Sequence, residues 1–466
     1  MPPESRARPP ADPPPEPALP HGQRRRLLLR LLRHPHDRQL RRLLPRVHPA
    51  DIAPLFPLLK PAERQRLLQI LFELRLAART LRELDPEIQP AVLAEVPDDR
   101  LAAMLARLSL DDAADLLHRL DEERRERLLT LVEPATATRL RNLLRYGEET
   151  AGGLMNPDVP AFSIDATVGE TIAALRRLAE SRRLFYLYVV DPEGHLVGLV
   201  NLWKLTTAEG DQRLGEVMGR DIVTVRVDTP QEEVARVFAR YDLLILPVVD
   251  EDGRLAGAIT VDDVLYVVEQ EATEDLYRLA NLNVQDGLAT PAARAVRLRL
   301  PWLLANLGTA FLAAGVVHLF AETIAKYVVL AVFMPIVAGM GGNAGTQTLT
   351  VMVRGAALGE MELHRTRSVI ARQIAIGLLN GLATGAVLAA VAWVWERNAV
   401  LSGILFVAET ANLTLAGLFG AAVPILLRRL RLDPALGSSI LVTTVTDCGG
   451  FLIFLGTATL LARHLL

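Results

Sequence analysis

A chain of 466 residues is too long for one domain, and a net charge of -3 implies no global polyanion or polycation partner. The single cysteine, Cys448, excludes an intramolecular disulfide and any cysteine metal cluster. Half of the residues are hydrophobic, but charge concentrates up to Arg299 and thins out beyond it.

The leader MPPESRARPPADPPPEPALP has no apolar core, so it is not expected to be a signal peptide, and its proline density predicts disorder over 1–24. Over 25–149, segments such as DIAPLFPLLKPAERQRLLQILFEL and DDRLAAMLARLSLDDAADLLHRLDEERRERLLTLV space leucines three and four apart, with Pro or Asp at the breaks. Short amphipathic helices cannot bury their apolar faces singly, so an α-helical superhelix or bundle is predicted. Arginines there alternate with acids and lack interleaved aromatics, which gives nucleic-acid binding no support.

An internal repeat follows. LYVVDPEGHLVGLVNLWKL around Asp191 matches LPVVDEDGRLAGAITVDDV around Asp250, and the helical patterns DATVGETIAAL and DTPQEEVARVF precede the two copies. Each reads as a β-branched strand, a tight D-x-x-G turn, a second strand and a helix. Together they resemble a tandem pair of CBS modules, an α/β unit expected over 150–270. Such pairs often bind adenine nucleotides, and Thr260 and Asp263 of the second copy fit the ribose-holding pattern. The first copy has Asn201 and Lys204 there, so a pair serving only as a dimerising gate stands beside the ATP reading.

Beyond Pro301 five apolar stretches each exceed the roughly 20 residues that cross a hydrocarbon core: Pro301 to Ala321, Tyr327 to Val353, Gln373 to Trp395, Asn398 to Leu427 and Pro434 to Ala462. Arg354, Arg365, Arg367, Arg372, Arg428, Arg429 and Arg431 lie in the loops of one side, against Lys326 and Arg397 on the other. The positive-inside rule therefore predicts a multi-pass protein of the inner (plasma) membrane, with the N-terminal half cytoplasmic and the C-terminus outside.

Polar groups deep in such spans are costly and face a cavity or a partner. In PIVAGMGGNAGTQTLT, Gly339, Gly341, Gly342 and Gly345 surround Asn343, and Thr346 and Gln347 follow. Glycines let helices approach, Pro335 frees a backbone carbonyl, and Asn343 and Gln347, four apart, share a face. The stretch reads either as oxygens lining a narrow path or as a packing seam glued by amides. In LVTTVTDCGG, Asp447 sits near mid-span among Thr443, Thr444, Thr446 and two glycines. No Lys or Arg lies deep in any span, so a permeating cation is its simplest partner, with a protonated, transport-linked aspartate as the competitor. Oxygen donors without sulfur or clustered imidazole suit a hard cation, and Mg2+, which dehydrates reluctantly, suits a pore that contacts its water shell. Composition does not separate Mg2+ from Mn2+, Co2+ or Ca2+. None of the nine histidines precedes a glutamate, so an intramembrane zinc protease lacks its H-E-x-x-H motif and no enzyme is expected. A proton- or sodium-coupled divalent exchanger using Asp447 and Glu409 remains the alternative.

With GGNAGTQ, LRRLRLDPAL and VTTVTD, and with the order of helical N domain, CBS pair, connecting helix and five spans, the chain resembles the MgtE family of magnesium transporters over 25–466. The resemblance implies a homodimer in membrane lipid, with a pore on the two-fold axis through an all-α domain over 297–466. It makes Asp447 the ion-binding carboxylate, with Asn343 and the Gly339 backbone beside hydrated Mg2+; Gln347 joins them as a pore residue through the face it shares with Asn343. It makes 271–296 a plug and connecting helix, and gives regulatory Mg2+ to acids at family sensor positions: Asp263, Glu271, Glu274 and Asp275, Asp111 and Asp115 of the N domain, and Glu232 and Asp242. Bound Mg2+ would let these acidic faces pack and shut the pore; without it, like charges would loosen the assembly. Three departures mark this sequence: Ser439 where some members carry Asn, and Pro230 and Tyr266 where some carry acids. The resemblance assigns no role to Glu409, which is expected either to face the pore or to lie close enough to the outer surface to be hydrated.

Overall fold

The computed structural model describes residues 21–33, 37–86, 88–178, 186–287, 290–357, 366–430, 432–435 and 437–461. The leader before His21, and Arg365 and Arg431 used for orientation, lie outside the described residues. The chain forms two compact units: Met1–Gln231 with Leu243–Val261, and Glu232–Asp242 with Asp262–Leu466.

The first unit opens with short helices: α1 (His21–Arg33), α2 (Asp37–Leu43), α3 (Pro49–Ile52), α4 (Pro61–Glu73) and α5 (Ala77–Arg82). They continue as α6 (Gln89–Ala94), α7 (Asp98–Leu105), α8 (Leu110–His118), α9 (Glu122–Leu131) and α10 (Pro134–Leu143). Local chemistry sets the starts. Pro61 opens α4, where its missing N–H is no loss, and the Lys60 N–H donates to Glu63 Oε2 at 2.9 Å. Asp121 caps α9 by accepting from the Arg124 N–H at 2.9 Å. Leucines at helical spacing, among them Leu67, Leu71, Leu117 and Leu128, are fully buried and join the helices. One staple recurs. Arg66 reaches Asp37 and the Leu32 carbonyl, and Arg124 reaches Asp98 and the Leu93 carbonyl, an aspartate five residues after a leucine each time.

After α11 (Ala151–Leu154) come two matching three-stranded sheets. The first has β1 (Ala161–Ser163), α12 (Val168–Leu178), β2 (Tyr186–Val190) and β3 (Leu196–Asn201), followed by α13 (Leu202–Thr207) and α14 (Leu214–Val217). The second has β4 (Val225–Arg226), α15 (Gln231–Tyr241), β5 (Ile245–Val249) and β6 (Leu255–Thr260). β1 pairs parallel with β2 and β2 antiparallel with β3; β4, β5 and β6 repeat the pattern, down to a register shift at Val189/Val190 and at Val248/Val249. Gly194 and Gly253 take the left-handed conformation that the D-x-x-G turns require, at φ 90° and 84°. The turns meet: the Leu196 N–H donates to the Gly253 carbonyl and the Leu255 N–H to that of Gly194.

In the second unit α16 (Val261–Leu279) runs unbroken past residue 271. Then follow α17 (Ala292–His318), α18 (Ala321–Lys326), α19 (Val329–Ala357), α20 (Thr366–Glu396), α21 (Ala399–Arg429) and α22 (Ser438–Leu460). Among the described residues α17, α19, α20, α21 and α22 are long and apolar enough to cross a membrane. α17 starts well before Pro301, which lies inside it, because the apolar run marks the bilayer crossing and not the length of the helix. α21 is the hub, packed on α19, α20 and α22, while α17 lies against α22. Small residues bring α20 and α21 together: a Cβ on Gly377 would meet the Leu413 carbonyl at 2.4 Å, and one on Gly417 the Gln373 carbonyl at 2.5 Å. Leu303, Leu304, Leu307 and Phe311 of α17 are exposed, as lipid-facing side chains are. Phe333, Leu405 and Phe454 share the core at one end of the bundle, and Leu349, Val353 and Ala435 pack at the other, so α19 and α22 run antiparallel.

Candidate functional site

α19 stays helical through Pro335 and its glycines, and its two sides differ. Gly341 and Gly345 are buried. A Cβ on Gly345 would sit 2.5 Å from Val442 Cγ1, and one on Gly341 2.3 Å from Asn412 Nδ2, so only glycine permits this approach. Gly339 has open space around it, and Asn343, Thr346 and Gln347 are exposed. The packing seam and the open polar face, alternatives for one stretch of sequence, thus coexist on different sides of one helix.

On α22, Thr444 donates to the Ile440 carbonyl at 2.6 Å and Thr446 to that of Thr443 at 3.0 Å, so both hydroxyls are used within their own helix. Asp447 is half-buried. Its neighbouring helices offer no base in their apolar middles: Arg354 stands at the end of α19, and Arg428 and Arg429 at the end of α21. Contacts fix the depth. Gly345 abuts Val442 and Thr446, while Gly341 and Gly450 both abut Asn412. Asp447 therefore stands at the level of Gly341 to Gly345, the level of Asn343.

Sequence reasoning missed Asn412, which is fully buried and donates from Nδ2 to the Val337 carbonyl at 2.9 Å. The signal was there: an amide three residues after Glu409 in an otherwise apolar span.

The acids named for regulation fall into two groups. In the first unit Asp111 and Asp115 lie on α8, with Asp115 exposed. Asp111 accepts from Asn156 Nδ2 at 3.3 Å. Burial pushes its carboxyl up, Ser109 opposes this, and the adjacent Asp112 charge adds to it. In the second unit Glu232 lies at the start of α15, Asp242 just beyond its end at φ 50°, and Asp263, Glu271, Glu274 and Asp275 on α16. Burial, then the charge of Glu232, pushes the Asp275 carboxyl up. Such a pair fits a divalent cation. Glu274 is instead paired with Arg278, which also holds Asp433. Asn281 donates to Ser439 Oγ at 2.7 Å, and Leu279 packs on Leu349, Val353 and Ala435. The end of α16 is thereby seated on one end of α19 and the start of α22, through Arg278, Asn281 and Asp433, which sequence reasoning did not name. Thr260 ends β6 and Asp263 lies in the first turn of α16; in the first copy Asn201 caps α13 by accepting from the Lys204 N–H at 2.7 Å.

Comparison with known proteins follows this layout. Residues 47–149 match the MgtE intracellular N domain, 151–210 and 214–270 the CBS domain, and 334–457 the MgtE divalent cation transporter model. The magnesium transporter MgtE of Thermus thermophilus is 40% identical over 340 residues, 72% of this chain and 75% of the relative. That of Enterococcus faecalis is 32% identical over 329 residues, 70% and 72% of the two chains. The crystal structure of the cytosolic domain of the Mg2+ channel MgtE in complex with ATP aligns with a TM-score of 0.47 and 43% identity, over 49% of this chain and 94% of that one. The identity and extent of the matches to these two relatives show that this multi-pass membrane protein belongs to the MgtE family of magnesium transporters.

Proposed function

We propose that the chain is a homodimeric Mg2+ channel of the cytoplasmic membrane, its N-terminal half in the cytosol and its pore between two copies of the open face of α19. The observation that carries this reading is the coincidence in depth of Asp447 with an exposed polar face made of Gly339, Asn343 and Gln347. Carbonyl, amide and carboxylate oxygens at one level hold a hydrated hard cation through its water shell. Two symmetry-related Asp447 side chains give the charge that draws Mg2+ in, and no fixed base in the span cancels it.

Closure is assigned to regulatory Mg2+ on the acidic surfaces: Asp111 and Asp115 on the N domain, and Glu232, Asp242, Asp263, Glu271, Glu274 and Asp275 on α15, its end and α16. The negative charge of Glu232 close to the half-buried Asp275 supports a cation there, and the seating of α16 beside Ser439 supports its role as the plug. ATP at the CBS pair rests on Thr260 and Asp263 of one copy alone, since Asn201 of the other is committed to capping α13.

The test is Mg2+ influx into liposomes with internal Mg2+ varied. Asp447→Ala is expected to lower influx about a hundredfold, the loss of one well-placed electrostatic partner, and wild-type influx to fall as internal Mg2+ rises. Equal influx in the two proteins would place the ion path elsewhere. Influx that collapses with the proton gradient at fixed membrane potential would favour the coupled exchanger.

A further inference from the structure

Glu409 and Asn412 lie three residues apart on α21 and are 1% and 0% exposed. Each has one oxygen that is buried and unbonded, Glu409 Oε2 and Asn412 Oδ1. The other Glu409 oxygen is 3.4 Å from Thr384 Oγ1, which also donates to the Asn380 carbonyl at 2.9 Å. A bare carboxylate here would be an uncompensated charge in a medium that does not tolerate one. The helices packed on α21 supply no cation at this depth. α19 has only Arg354, at its end; α20 has Arg367, Arg372 and Glu396, towards its ends; α22 has Asp447 and, next to it, the Cys448 thiol.

One hydrogen resolves both orphans. A protonated Glu409 would donate from Oε2, and residues three apart are neighbours on a helix surface, which makes the unbonded Asn412 Oδ1 the acceptor that the spacing offers. That hydrogen also decides which way the Asn412 amide points. With Oδ1 accepting from Glu409, Nδ2 is turned to the Val337 carbonyl of α19, the bond seen at 2.9 Å; turned over, the amide would set oxygen against oxygen. Asn412 fills the space that a Cβ on Gly341 or Gly450 would need, at 2.3 Å and 2.6 Å from Nδ2. It is wedged between α19 and α22 at the depth of Asp447.

We propose that Glu409 is a positioning residue that stays protonated in the membrane, and that its carboxyl hydrogen fixes Asn412 as the strut setting the separation of the two pore helices. This rests on the pore reading above, and it parts from the exchanger reading, in which Glu409 gives up its proton in every cycle.

The experiment compares full-length wild type, Glu409→Gln and Glu409→Leu in liposomes at low internal Mg2+, measuring Mg2+ and Co2+ influx, together with the infrared carbonyl band of a protonated carboxyl at neutral pH. Glu409→Gln, whose amide donates in place of the carboxyl, is expected to keep Mg2+ influx within about twofold of wild type and the Mg2+/Co2+ ratio unchanged. Glu409→Leu, which cannot donate, is expected to shift that ratio about threefold or more, since small displacements of a site change its chemistry steeply. The band is expected in wild type and absent from Glu409→Gln. Loss of influx in Glu409→Gln, an unchanged ratio in Glu409→Leu, or a wild type without the band would each overturn the proposal. Should the Leu variant not fold, the Gln variant and the band decide. If wild type itself passes no Mg2+, the pore reading fails, and the band alone still reports whether Glu409 keeps its proton.

Discussion

The glycines of α19 look alike in sequence and are separated by what stands opposite them. Gly345 faces the stiff, branched Val442, and Gly339 faces open space. Gly345→Ala is therefore expected to destabilise the fold by about 1–3 kcal/mol through overpacking, and Gly339→Ala to stay within about 0.5 kcal/mol. Thermal unfolding in detergent checks this, and equal melting of the two variants would contradict the assignment of faces. Composition flagged the cluster but could not divide it, because the division depends on how α19 is turned towards α21 and α22. The same limit hid Asn412, whose weight lies in its partners Val337, Gly341 and Gly450, far from it in the chain. Asn201 shows the reverse case: read as a departure from a nucleotide pattern, it has a local task in capping α13.

Elements were more legible than positions. The leucine spacing of the N domain, the two matched strand–turn–strand units and the apolar spans each follow from a period or a length that backbone geometry imposes. Helix ends were less so, since α17 tolerates Pro301 in its interior and extends into an arginine-bearing stretch. The seat of α16 was illegible, because Arg278 and Asp433 are far apart in sequence and meet only in the folded unit. Arg278 is part-buried, with 35% of its side chain exposed against 24% for Asp433, so the pair is screened but not fully solvated. If α16 is the plug, Asp433→Asn loosens its closed seat. The internal Mg2+ needed to halve influx is then expected to rise about fivefold, the low end of coupling energies. An unchanged half-closing concentration would show that this ion pair plays no part in closure.

For the whole molecule, the decisive fact is what one protomer leaves open. Asn343 and Gln347 are exposed on a helix long and apolar enough to span a bilayer, and lipid would leave their amides unsatisfied, whereas Thr346 donates to the Gly342 carbonyl within α19 at 2.9 Å. In the proposed homodimer, a second copy related by a two-fold axis would supply the missing wall with the same residues. In a Cys448→Ser background, Thr346→Cys is expected to cross-link to a second copy with a short thiol reagent, while Leu303→Cys on the exposed side of α17 is not. Equal cross-linking at both positions would point to random collision in the membrane.

The wedge of Asn412 between Gly341 and Gly450 also bears on how the protein is made. During synthesis α19 and α21 enter the bilayer before α22 has left the ribosome, so Asn412 has its bond to Val337 but not its second wall. Until α22 packs on α21, the Asn412 amide lacks the Gly450 wall that helps to bury it in the finished fold. A chain cut before α22 would carry that amide only partly covered, a cost that the bilayer does not offset. α22 thus walls in the Asn412 amide and carries Asp447 in a single element.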